Sequence, residues 1–102
     1  MQYNYDTPAF IKSKETAHVL IRQLLINNKY LLHKAGIKQY EQFAQLHKLG
    51  IIISINTYKG LMCGRRVNCK LTWLAFFANY WGLSLPEMMS VDYCERDKLM
   101  AM

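Results

Sequence analysis

The sequence predicts an all-α domain of five helices. Three observations carry this: apolar residues recur at helical spacing along most of the chain, glycines fall where those stripes stop, and Ser or Thr opens several of them as a cap. With 102 residues, 52% hydrophobic and 20% charged, the chain can bury one core without metal or disulfide staples and is too apolar to be disordered. The stripes divide it into an N-terminal extension (1–12), a helical domain (13–90) and a C-terminal tail (91–102).

Thr7-Pro8 looks like a cap followed by proline at the first helical position, so a short turn is expected there. From Ser13 to Ala35, residues Ala17, Leu20, Ile21, Leu24, Leu25, Leu31 and Leu32 trace one stripe, and Gly36 ends it. Asn27-Asn28, in the middle, has poor helix propensity and offers a point at which this helix divides in two. A second helix is expected from Gln39 to Leu49, burying Phe43, Leu46 and Leu49 or their neighbours, with Gly50 closing it. The next segment has two readings. The β-branched residues of IIISI favour a strand, whereas INTYKGLM favours a short helix capped by Ser54. A strand there has no partner, which selects a helix over Ser54 to Met62, stopped by Gly64.

Leu71 to Ser90, LTWLAFFANYWGLSLPEMMS, is the most legible stretch. Leu71, Leu74, Ala75, Ala78 and Trp81 share one helical face, and Gly82 takes the left-handed conformation that ends the helix. Ser84 caps the following helix, with Pro86 in its first turn and Glu87 at the positive end of its dipole.

The net charge of +6 is unevenly spread. Residues 1–37 hold five Lys/Arg against two acids, residues 38–70 hold six against one, and residues 71–102 hold two against four, giving +3, +5 and −2. A solvated surface needs no such asymmetry. A face that meets phosphates does, because each cation placed there releases condensed counterions.

Catalysis, metals and membranes find little support. His18, His33 and His47 lie about 15 residues apart with no second ligand at i+3 or i+4, and no phosphate loop, nucleophile triad or carboxylate pair is evident. Cys63, Cys69 and Cys94 are odd in number and lack CxxC spacing, so a disulfide framework is not expected and no cofactor is called for. No apolar run is long enough to span a bilayer and no signal-peptide layout opens the chain, so a cytoplasmic location is expected.

Leu49-Gly50-Ile51, then Gly64-Arg65-Arg66, then Phe77-Ala78 four residues before Gly82, followed by Leu83-Ser84-Leu85, together resemble the Cro and phage-repressor (XRE) type of helix-turn-helix domain. The resemblance covers Gln39 to Ser90 and, more loosely, the first helix. It implies a compact, lambda-repressor-like, five-helix fold and a transcription regulator of phage or mobile-element type, acting without catalysis on double-stranded DNA. Two departures stand out. The spacings Gly50 to Gly64 and Gly64 to Ala78 are each about two residues longer than the family's, and Gln45 and Leu46 occupy its Leu-Ala positions. A second frame places helix 2 at Leu31 to Ile37, LLHKAGI.

A helix entering the major groove needs polar or basic side chains near its N-terminus and an apolar opposite face. Ser54, Asn56, Thr57 and Lys59 meet the first need as base contacts, while Ile55, Tyr58, Leu61 and Met62 meet the second. Lys38, Gln39, Arg65, Arg66, Asn68 and Lys70 flank this helix as phosphate anchors. The aromatic residues of Leu71 to Trp81 wrap nearly around their helix. A homodimer is therefore expected through Trp73, Phe76, Tyr80, Trp81, Tyr93 and Leu99, the last two in the tail. The competing class is a protein-interaction module of the same fold, an antirepressor or antitoxin, binding a protein through the aromatic helix and the tail.

Overall fold

Six helices, packed around the C-terminal half of the first, account for most of the computed structural model, which describes residues 7–66 and 68–101. In chain order they are α1 (Pro8–Ala35), α2 (Gln39–Lys48), α3 (Ile55–Met62), α4 (Leu71–Tyr80), α5 (Leu85–Ser90) and α6 (Tyr93–Met100). No strand occurs among the described residues, so the all-α class holds. The count is six, not five, because part of the expected tail forms α6, where the Asp92 carboxylate accepts from the Glu95 N–H at 3.0 Å. Residues 1–6 of the expected extension and Met102 of the tail lie outside the described residues.

The helix starts follow the capping residues. Thr7 Oγ1 accepts from the Phe10 N–H, Ser54 Oγ from the Thr57 N–H and Ser84 Oγ from the Glu87 N–H, at 3.1–3.2 Å. The stops follow glycine. Gly36, Gly50, Gly64 and Gly82 all hold positive φ, a backbone region that a Cβ disfavours. Between α2 and α3 the chain forms no strand: Ile53 is buried, whereas Ile52 is 87% exposed.

α1 begins at Pro8, inside the expected extension, and runs unbroken through Asn27-Asn28, reaching about 42 Å at 1.5 Å per residue. The two asparagines do not divide it because tertiary partners repay their weak propensity. Asn27 Nδ2 donates to the carbonyls of Met88 (2.8 Å) and Val91 (2.6 Å), and its Oδ1 accepts from the Tyr93 N–H at 3.2 Å, fixing the turn from α5 into α6. Tyr30 and Lys34 add a second clasp on α6, each donating to Asp97 Oδ2 at 2.6 Å.

The core joins Leu24 and Leu25 of α1 to Leu46, Ile53, Tyr58, Leu61, Leu74, Phe77, Met88 and Tyr93. Several residues of the expected apolar stripes lie outside it: Ala17 and Leu20 of α1 are exposed because that part of the helix has little packed against it, Leu49 is 60% exposed and Leu71 is 68% exposed. On α2 the inward row is Gln42 and Leu46, with Phe43 half-buried, and Leu49 lies past the last helical residue as the C-cap. On α4 a wide arc through Leu74, Phe76, Phe77 and Ala78 is buried, leaving Leu71 at the rim.

Candidate nucleic-acid interface

α3 is held from behind by a closed set of polar bonds. Asn28 of α1 and Gln42 of α2 pair amide to amide, at 2.9 Å in one direction and 2.7 Å in the other. Tyr58 of α3 donates to Gln42 Oε1 at 2.7 Å, and Trp81 Nε1, just past α4, donates to Asn28 Oδ1 at 2.9 Å. Asn28, Gln42 and Tyr58 are buried and Trp81 is half-buried, and burial pushes the Tyr58 hydroxyl pKa up, so it stays a donor. Among the described residues each buried side-chain nitrogen and oxygen has a partner, so the set specifies one arrangement of α2 and α3 against α1. The Phe43 ring, 5.5 Å from that of Tyr58, closes the same contact from the side.

The outward row of α3 is Ile55, Asn56, Lys59 and Cys63, all exposed. Asn56 thus faces solvent in the first turn and Lys59 in the last. Ser54 and Thr57 are committed to the cap, since the Ser54 hydroxyl also donates to Thr57 Oγ1 at 2.9 Å. Ile55 departs from expectation: it is 41% exposed, while Tyr58, Leu61 and Met62 form the inward face.

Among the flanking residues, Lys38 is the exposed N-cap of α2 and Gln39, half-buried, is its first residue. Arg65 and Arg66 are exposed, and the loop that carries them folds back onto α3 through a 3.0 Å bond from the Arg66 N–H to the Gly60 carbonyl. A Cβ at Gly60 would meet Arg66 Cβ and an Arg65 guanidinium nitrogen at 3.4 Å, ordinary van der Waals contact, so the loop lies close against this turn of α3. Lys70 caps α4 and lies 5.5 Å from the Trp73 ring centroid. Arg66, Asn68 and Lys70 line one shallow depression together with Lys14 and His18 of α1. Those two α1 residues were missed by the sequence reading, since nothing local ties them to a loop some fifty residues away.

The second frame for helix 2 fails, because Leu31 to Ala35 are the last turns of α1. The expected dimer surface is mostly absorbed as well. Phe76 and Tyr93 are 6% and 3% exposed, Trp73, Tyr80 and Trp81 are half-buried, and Leu99 alone of the six is exposed. Stacking explains the absorption: Phe76 lies 5.7 Å from Phe77 and 5.8 Å from Tyr80, which lies 4.9 Å from Trp81. No cluster of three metal-ligating side chains occurs among the described residues, and burial pushes the Cys69 thiol up to about 12. Among the described residues no helix is long and apolar enough to cross a membrane. Comparison of the chain with protein-family models, with curated proteins and with solved structures gave no match.

Proposed function

We propose that the chain is a sequence-specific regulator of transcription, of lambda-repressor-like architecture, that occupies double-stranded DNA as a homodimer and performs no catalysis. The observation that carries this reading is α3 itself. Its inner face is fixed by Tyr58, Leu61 and Met62, while the side chains of Asn56, in its first turn, and Lys59, in its last, stand exposed without a hydrogen-bond or ion-pair partner among the described residues. An Asn matches the adenine N6/N7 edge and a Lys matches guanine or a phosphate, and the exposed Ile55 is suited to a thymine methyl group. Arg65, Arg66, Asn68 and Lys70 follow in the next loop, with Lys38 and Gln39 at the start of α2, as backbone anchors. One short helix reads few base pairs, so two copies are expected to pair across a pseudopalindrome.

Retention on heparin and the salt dependence of duplex binding test the proposal. Affinity is expected to fall steeply with salt. The Arg65→Ala, Arg66→Ala double variant should flatten the log–log slope by about 2, one unit for each phosphate that is no longer neutralised. An unchanged slope would remove both arginines from the interface.

A protein-interaction module is the second reading, favoured by one observation. Between α2 and α4 runs a groove of about 800 Å³ over Phe76 and Tyr80, bordered by the exposed Leu49. This reading predicts neither heparin retention nor a salt-dependent DNA complex.

A further inference from the structure

A second groove, of about 680 Å³, lies between α1, the end of α3 and the start of α6. Leu25, Ile26, Leu61 and Met62 supply its apolar surface, and Arg22, Lys29, His33 and Arg66 stand around it, with no carboxylate in the lining. Arg22, Ile26, Lys29 and His33 recur at three- and four-residue steps, so one face of α1 provides both the cations and part of the apolar wall. None of Arg22, Lys29, His33 and Arg66 forms an ion pair among the described residues. Asp97, the acid clasped to α1, is already engaged by Lys34 and Tyr30.

The size falls within the range of small-molecule sites, which are mostly apolar with a few polar groups that set orientation. A nucleic-acid backbone would use the cations but has no need of the apolar wall. A neutral apolar ligand would fill the wall and leave four basic groups unanswered. Only a ligand with both parts uses the whole lining.

We propose that this groove binds a small anionic amphiphile, a carboxylate carried on an apolar body. Its regulatory consequence rests on the DNA-binding reading above. Arg66 belongs to both this groove and the anchoring loop, and Leu61 and Met62 are the last residues of α3. A bound carboxylate therefore competes with DNA phosphate for Arg66 and lowers DNA affinity.

Calorimetric titration of the full-length protein with decanoate below its micellar range, in the absence of DNA, tests the site directly. Decanol and inorganic phosphate serve as single-feature controls, and anionic phospholipid vesicles as the membrane control. Decanoate is expected to bind one to one and at least about tenfold more tightly than either control. Lys29→Gln and Ile26→Gln, both at exposed positions, should each weaken it by about tenfold with unchanged unfolding midpoints. Equal binding of decanol or phosphate, indifference to both variants, or binding to vesicles without binding to decanoate would overturn the proposal. In a DNA-binding assay decanoate should weaken the complex of the unmodified protein and leave that of Lys29→Gln less affected. Loss of the decanoate effect on DNA while decanoate still binds would sink the coupling alone. DNA binding without decanoate binding would sink the groove and spare the DNA reading.

Discussion

Behind α3, Asn28, Gln42, Tyr58 and Trp81 satisfy one another in and at the edge of the core, whereas in front of it Asn56 and Lys59 stand in solvent. The same side-chain type serves opposite ends on the two sides. An Asn amide enclosed with every partner in place fixes an orientation, because any other packing would leave buried donors or acceptors unpaired. An Asn amide with no partner on an exposed helix contributes little to folding and is free to be answered by a ligand. On the proposed function the two sides of α3 separate stability from recognition, and substitutions on either side test that separation.

The largest effect is expected at Asn28. Asn28→Ala orphans the Trp81 N–H and strips Gln42 of its amide partner, which should cost roughly 3 kcal/mol in urea unfolding, from about 1–3 kcal/mol per stranded buried group. Asn56→Ala on the outer face should stay within about 0.5 kcal/mol. Similar losses from the two variants would end the distinction between the inner and outer faces.

Asn27 comes next, with a more local result. Asn27→Ala leaves the Met88 and Val91 carbonyls and the Tyr93 N–H without their partner, so a loss of about 2 kcal/mol is expected. Amide exchange should quicken in α5 and α6 before it does in α3. Uniform acceleration along the chain would show that this clasp is not a separate unit.

The smallest effect is electrostatic. Hydrogen bonds from Lys34 and Tyr30 hold the Asp97 carboxyl down at about 2, below its ordinary 3.8, and the same carboxylate pushes the Tyr30 hydroxyl up to about 12. A carboxylate depressed on folding contributes stability that is complete above its unfolded pKa and disappears as pH falls through the folded one. The clasp from α6 to α1 should therefore weaken between pH 3.8 and about 2. Asp97→Asn should unfold less steeply with acid across that window, as read by circular dichroism at fixed urea. Parallel acid profiles for the two proteins would show that Asp97 contributes nothing there.

These contrasts also explain what could be read from the sequence. Caps at Thr7, Ser54 and Ser84 and stops at Gly36, Gly50, Gly64 and Gly82 were legible because each is settled by its own few neighbours. Asn27 and Asn28 were not, since apart from Gln23 their side-chain partners lie 14 to 66 residues away and propensity registers only the local cost. The tail hid α6 for a related reason. Tyr93 is its one buried residue, and Leu99 and Met100 face solvent, so no apolar stripe announces it. The burial of Phe76 and Tyr93 was not legible, because counting aromatics on α4 says how much surface needs cover, not that the rest of the same chain supplies it. The outer row of α3 was legible at Asn56 and Lys59 and misjudged at Ile55, whose apolar character alone suggested burial.

Selection of bound sequences from a random duplex pool, run with the unmodified protein and with Asn56→Ala and Lys59→Ala, tests the central claim most directly. A pseudopalindromic site with half-sites about one helical turn apart is expected. Each variant should lose roughly 1–3 kcal/mol at that site, far less on random DNA, and relax preference at particular base pairs. A pool with no enriched sequence, or one enriched identically by all three proteins, would contradict the assignment of the outer face of α3 to base reading.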